Sequence, residues 1–214
     1  NKSYKKITKF KSYHLYKIIK PKKFNISPNL SCLLSTSGTT GDTKYVKISN
    51  ENLFKNTSDI AKVLRINSND VAITTMPPFY SYALSIINTH LFRGGKIILN
   101  NYSMIDRKFS EIFNKLKPTN LNGVPYNFEI LDRIKFNNMK LKNLKFITQA
   151  GGKLSDKIKN NLINICNKNK IKLFIMYGQT EASPRISIMP WSLLKKFPDG
   201  INGNKFIKIP ILIR

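Results

Sequence analysis

Hydroxyls, two glycines and a lysine crowd the stretch Ser35-Thr36-Ser37-Gly38-Thr39-Thr40-Gly41-Asp42-Thr43-Lys44. That mixture could hold a polyphosphate. Each phosphate oxygen must exchange water for another donor, and hydroxyls, free backbone N–H groups and a cation supply them. A Walker A loop has Gly directly before Lys, then Ser or Thr. Here Asp42 and Thr43 separate Gly41 from Lys44, so this is a different loop. Composition alone leaves it open between a phosphate cradle and an ordinary polar turn. Other reactive groups are sparse. His14 and His90 are too far apart to form a metal site by spacing, and His90 falls in an apolar helical run, as a core histidine does. Cys32 and Cys166 cannot make a disulfide framework or a four-cysteine zinc site. Cys32 lies in an extended apolar run and reads as a small buried hydrophobe.

A second segment, Met176-Tyr177-Gly178-Gln179-Thr180-Glu181, also follows an extended run. Together the two resemble signatures of the adenylate-forming superfamily, which contains acyl-CoA synthetases, nonribosomal peptide synthetase adenylation domains and firefly luciferase. The first is similar to that family's phosphate loop through Gly41 and Lys44. It departs at Thr43 and Tyr45, where Pro and Gly are usual. The second is similar to the family's Tyr-Gly-x-Thr-Glu. Three further segments lie between them, in the family's order. Met76-Pro77-Pro78-Phe79-Tyr80-Ser81-Tyr82-Ala83-Leu84 resembles the stretch lining the carboxylate pocket, with Tyr80 at the lining position. Gly123-Val124-Pro125 resembles the turn before a pocket helix, and Gln149-Ala150-Gly151-Gly152-Lys153-Leu154 the Gly-Gly segment beside adenine and acyl group. Each of the three is weak alone; their order carries the weight.

The resemblance implies ATP-dependent activation of a carboxylic acid to an acyl-adenylate, with pyrophosphate released and the acyl group then passed to a thiol. Thr36, Ser37, Gly38, Thr39, Thr40, Gly41 and Lys44 would take the phosphates. Tyr177, Gly178, Gln179, Gly151, Gly152 and Lys153 would surround the nucleotide, and Thr180 would touch the α-phosphate. Tyr80, Ala150 and Gly151 would line a pocket for a small carboxylic acid. Glu181 would hold Mg²⁺, a role suited to a hard oxygen ligand; the plainer alternative is a solvated acid at a helix start. Lys44, Thr180 and Glu181 are thus the expected catalytic residues. The thiol would come from coenzyme A or a phosphopantetheine carrier protein. Tyr-Gly-Gln-Thr-Glu-Ala at 177–182 and Leu-Leu-Ser-Thr-Ser-Gly at 33–38 resemble the acyl-CoA synthetase branch more than amino-acid adenylation domains.

Positioning such loops requires alternating strands and helices. Extended runs are expected at 31–35, 71–75, 96–99, 120–124, 144–149 and 171–176. Helical spacing marks a segment from Asn50, with Leu53, Phe54, Thr57, Ile60, Ala61 and Leu64 on one face, and further segments at 82–92, 109–116 and 155–168. Short strands spaced by helices predict an α/β fold, a mostly parallel sheet flanked by helices. Residues 1–30 form a basic lead-in whose rings are expected to pack inward while its lysines face water. Residues 31–214 are expected to be a partial AMP-binding domain. The start at Asn1 and the end at Arg214 suggest the central slice of a longer chain, without the family's small C-terminal domain and inactive by itself.

The formal charge is +26, from 37 Lys and Arg against 11 Asp and Glu. Only six of the cations are arginine, the better bidentate reader of phosphate. Lysine, asparagine and isoleucine share A/T-rich codons, so codon bias accounts for the skew and no nucleic-acid partner is expected. A basic nucleic-acid-binding module is the rival reading, and a truncated, inactive homologue the other. No apolar run approaches the roughly 20 residues that cross a bilayer, and free cysteines favour a reduced, cytoplasmic setting.

Overall fold

The computed structural model describes residues 4–10, 13–19, 25–36, 44–136, 138–196 and 207–208. The chain divides into two compact units, residues 1–30 and 31–214. In the first, β1 (Tyr4–Phe10) pairs antiparallel with β2 (Tyr13–Ile18), placing Lys6 opposite Tyr16. The lead-in's rings were expected to face inward, but Tyr16 is exposed, as are Ile7 and Leu15. A two-stranded ribbon has no interior of its own in which to bury them.

The second unit opens with the paired strands β3 (Leu30–Thr36) and β4 (Lys44–Ser49). Then follow α1 (Asn50–Val63), β5 (Val71–Ile73), α2 (Ser81–Phe92), β6 (Lys96–Ile98), α3 (Arg107–Leu116), β7 (Asn120–Gly123) and α4 (Pro125–Arg133). After these come β8 (Phe146–Gln149), α5 (Asp156–Lys168), β9 (Lys172–Gly178), β10 (Arg185–Met189), α6 (Trp191–Lys196) and β11 (Ile207–Lys208). The main sheet runs β11-β10-β9-β8-β7-β5-β6. Strands β6, β5, β7, β8 and β9 are parallel, and β10 and β11 add an antiparallel edge. The α/β architecture expected from the alternation is present; β4 and β10 were not anticipated.

Successive strand residues point to opposite faces, and the sheet uses both. Ile73, Leu121, Ile147 and Leu173 join Phe109 and Phe113 of α3, Phe128 of α4 and Leu162 of α5 in one core. Ala72, Phe146 and Met176 join Ile60 of α1 and Ile86 of α2 in the other. Helix ends follow their caps: Ser49 Oγ accepts from Asn52 N–H at 3.1 Å, and Asn127 Oδ1 from Val124 N–H at 2.9 Å. The face expected of α1 is corrected at one position. Phe54 is 63% exposed and packs edge-on against Phe92, while Asn56 is buried. Asn56 is drawn in because its amide donates to Arg185 O at 3.0 Å, a partner no helical periodicity reveals. Cys32 is likewise only half-buried, being in the two-stranded β3–β4 ribbon rather than the main sheet.

Beneath α2 a buried polar row crosses the sheet. Tyr82 OH lies 2.6 Å from Thr148 Oγ1, which donates to Asn122 Oδ1 at 2.5 Å. Asn122 Nδ2 donates to Asn120 Oδ1 at 2.7 Å, and Asn120 Nδ2 lies 2.9 Å from His90 Nε2. An amide nitrogen can only donate, so His90 Nε2 accepts; Nδ1 then carries the proton to Ile86 O at 2.8 Å. The row pins α2 to the sheet at Tyr82 and again about two turns later.

This network makes acid sensitivity local. Burial pulls the His90 imidazole below its ordinary pKa, aided by Arg185, and outweighs the raising effects of Ile86 O and Asp70. A histidine depressed in the fold stabilises it above the unfolded value and loses that contribution as pH falls toward the folded one. Stability should therefore decline from about pH 6.5 downward, by up to ~1.4 kcal/mol per pH unit. In urea denaturation, His90→Gln should be nearly flat between pH 7 and 5; a slope equal to that of the unaltered protein would show that His90 is not the source.

Candidate active site

The parallel strands reverse their order at β5 and β7, and open α/β sheets bind ligands beyond carboxyl ends near such a switch. Three of those ends converge here. Tyr80, Ser81 and Tyr82 follow β5, Ala150 and Gly151 follow β8, and Gly178, Gln179 and Thr180 end or follow β9; with Pro184 and Arg185 they line one cleft. Six residues expected from sequence are thus brought together: Tyr80, Ala150, Gly151, Gly178, Gln179 and Thr180.

Backbone geometry explains the glycines. Gly151 has φ +80°, the left-handed region, and a Cβ there would lie 2.7 Å from Tyr80 Oη. Gly178 faces Arg185 across the β9–β10 pairing, and a Cβ would stand 1.8 Å from Pro184 O. The second glycine admits the β10 backbone. Hydroxyls face one another at the cleft, Ser81 Oγ and Thr180 Oγ1 being 3.1 Å apart. The rings of Tyr80 and Tyr82 meet edge to face at 6.4 Å.

The other expected residues lie outside this wall. Gly152 and Lys153 are exposed after Gly151, and Gly152 O accepts from Gln149 Nε2 at 2.7 Å. Tyr177 is 60% exposed, and Glu181 is exposed on the single-turn 3-10 helix Thr180–Ala182. Among the described residues no hydrogen bond or ion pair occupies the Glu181 carboxylate. Thr36 ends β3 half-buried and Lys44 opens β4 exposed. Ser37, Gly38, Thr39, Thr40 and Gly41 lie outside the described residues.

Four lining residues had no individual role assigned from sequence: Ser81 and Tyr82, which lie in the segment expected to line the pocket, and Pro184 and Arg185, which lie in none. Arg185 is the most telling. It is 2% exposed, and its guanidinium carbon sits 4.9 Å from the centroid of the Tyr82 ring. Burial pulls its pKa down to about 10, partly offset by Tyr82. Burial likewise raises the Tyr82 phenol, with Arg185 and Thr148 opposing. A signal was present: Arg185 is one of six arginines, and it opens the run Ile186-Ser187-Ile188-Met189 four residues after Glu181.

A metal here would rely on few protein ligands, because no group of three or more His, Cys, Asp or Glu forms among the described residues. The uncommitted Glu181 carboxylate beside Thr180 nevertheless fits Mg²⁺, which binds through one or two carboxylates plus phosphate oxygens. No helix among the described residues is long and apolar enough to cross a membrane.

Comparison with known proteins identifies the family. The medium-chain acyl-CoA ligase ACSF2, mitochondrial, of Mus musculus is 27% identical over 155 residues, 70% of this chain and 25% of that enzyme. The chain thus spans about a quarter of that relative's length. A long-chain-fatty-acid-CoA ligase (FadD1) from Archaeoglobus fulgidus superposes with TM-score 0.69 at 20% identity, over 79% of this chain and 35% of that one. O-succinylbenzoate coenzyme A synthetase (MenE) from Bacillus subtilis, solved with ATP and magnesium ion, gives 0.65 at 21% identity, over 77% and 33%. The sequence profile of the AMP-binding enzymes matches residues 5–203, and the chain belongs to that adenylate-forming, acyl-CoA synthetase-like family.

Proposed function

We propose that the protein is an AMP-forming ligase that activates a small carboxylic acid with ATP and passes the acyl group to a thiol of coenzyme A or a carrier protein. The observation that carries this is the convergence of the β5, β8 and β9 ends on one cleft, with Thr180 paired to Ser81 at its wall. In the first step a carboxylate oxygen bonds to the α-phosphorus and the bond to pyrophosphate breaks, the leaving oxygen keeping the electron pair. Two anions must meet, so the site has to cancel charge and hold the oxygens in line. Thr180 Oγ1 would donate to the α-phosphate. Thr36, Ser37, Gly38, Thr39, Thr40, Gly41 and Lys44 would bind the outer phosphates. Tyr177, Gly178, Gln179, Gly151, Gly152 and Lys153 would border the nucleotide, and Tyr80, Ala150 and Gly151 the acid. Glu181 would hold Mg²⁺, which when bound neutralises phosphate charge. The two free cysteines support a reducing, cytoplasmic setting.

The test is equilibrium binding of ATP with Mg²⁺, followed, in the full-length protein, by ATP–pyrophosphate exchange over a panel of acids. Lys44→Ala should weaken ATP binding about tenfold, the worth of one charge-assisted contact. Exchange with no acid in the panel, together with ATP binding indifferent to Lys44, would overturn the assignment.

A further inference from the structure

Arg185 is a buried cation without a buried anion. Among the described residues no carboxylate pairs with it, and its Nε and Nη1 are buried without a hydrogen-bond partner. Desolvating a guanidinium is unfavourable unless something answers its charge. The face of Tyr82 answers part of it. The unmade N–H bonds remain, and native proteins keep such orphaned donors at few positions.

Arg185 is also one of the residues that line the cleft. Burial gives the cleft a direction. Of the lining residues Gly151 and Gln179 are exposed and Thr180 is half-buried, which marks the mouth; Arg185 and Tyr82 are buried, which marks the floor. The floor is rigid. Tyr82 is tied through Thr148 to the sheet, and the Arg185 carbonyl accepts from Asn56 of α1.

We propose that Arg185 receives a second anionic group on the acid, so that the substrate class is a short dicarboxylate or similarly charged acid rather than a plain fatty acid. The inference rests on the adenylation reading, which sets the reacting carboxylate toward Thr180 at the mouth. An acid entering that way presents its far end to the floor. There a carboxylate accepts from the planar fork of Arg185, a pairing lysine cannot reproduce. An alkyl end would leave the buried charge unanswered, which disfavours uncharged tails.

The test uses paired probes of equal length: succinate against butyrate, and glutarate against pentanoate. Binding to the protein is measured by calorimetry with ATP and Mg²⁺ present, after ATP affinity alone is recorded. At least one dicarboxylate should bind on the order of 10- to 100-fold more tightly than its monocarboxylate partner. Arg185→Met should erase that preference, and Arg185→Lys should restore only part of it. Equal binding within both pairs by the unaltered protein overturns the inference while leaving the adenylation reading intact. So does an Arg185→Met protein whose loss lies in ATP affinity, because the anion would then be a nucleotide phosphate. Failure of the unaltered protein to bind ATP sinks the adenylation reading and this inference with it.

Discussion

Gly178→Ala should destabilise the protein by about 3 kcal/mol or more, a loss of the size caused by severe overpacking. The added methyl would stand 1.8 Å from Pro184 O, 2.8 Å from Pro184 C and 2.9 Å from Arg185 Cα. All three are backbone atoms, so no side-chain rotation relieves them. Relief requires β10 to part from β9 where Gly178 faces Arg185. The same movement drags Arg185 off Tyr82 and opens the cleft, so stability and ligand binding should fall together. Gly152→Ala is the control. Its methyl would meet the Pro125 ring at 3.0 Å, a contact with a side chain, and should cost under about 1 kcal/mol. Urea denaturation with unchanged m-values reads both. A Gly178→Ala midpoint matching that of Gly152→Ala would mean the β9–β10 contact is far softer than its geometry.

Much of this frame was legible in the sequence because apolar periodicity reports burial. Ile60 and Ala61 lie where their spacing placed them, and β7 and β8 run where extended runs were expected. What escaped is what periodicity cannot encode. Phe54 continues the apolar face of α1, yet it is exposed, because Asn56 is committed to the carbonyls of Arg185 and Ala182. Polar residues settle that face through partners more than a hundred positions away. The buried row Thr148-Asn122-Asn120-His90 was hidden for the same reason: each member is an ordinary polar residue until the sheet aligns them. In the site, short motifs located glycines and hydroxyls but not the charge on the floor. Arg185 falls outside Tyr-Gly-x-Thr-Glu, and its meaning depends on burial, which one sequence does not display.

Replacing Glu181 by glutamine in the full-length protein should lower ATP–pyrophosphate exchange about 100-fold, the range seen when one transition-state charge contact is lost. The change keeps the shape of the side chain and removes its charge, so it isolates electrostatics from packing. Packing has little to lose, because Glu181 is exposed and its carboxylate has no partner among the described residues. Its position is set by the backbone: Ser183 N–H donates to Thr180 O at 3.1 Å, and Ala182 N–H to Gln179 O at 3.0 Å. That single turn keeps Glu181 next to Thr180, whose hydroxyl faces Ser81 in the cleft. Melting should be unchanged within about 0.5 kcal/mol, as for other exposed substitutions. The discriminating measurement is exchange rate against Mg²⁺ concentration. If Glu181 holds the ion, the half-saturating Mg²⁺ concentration rises for Glu181→Gln, and excess Mg²⁺ restores part of the rate. If the acid is only solvated, both curves coincide and the ion is held by phosphate oxygens alone.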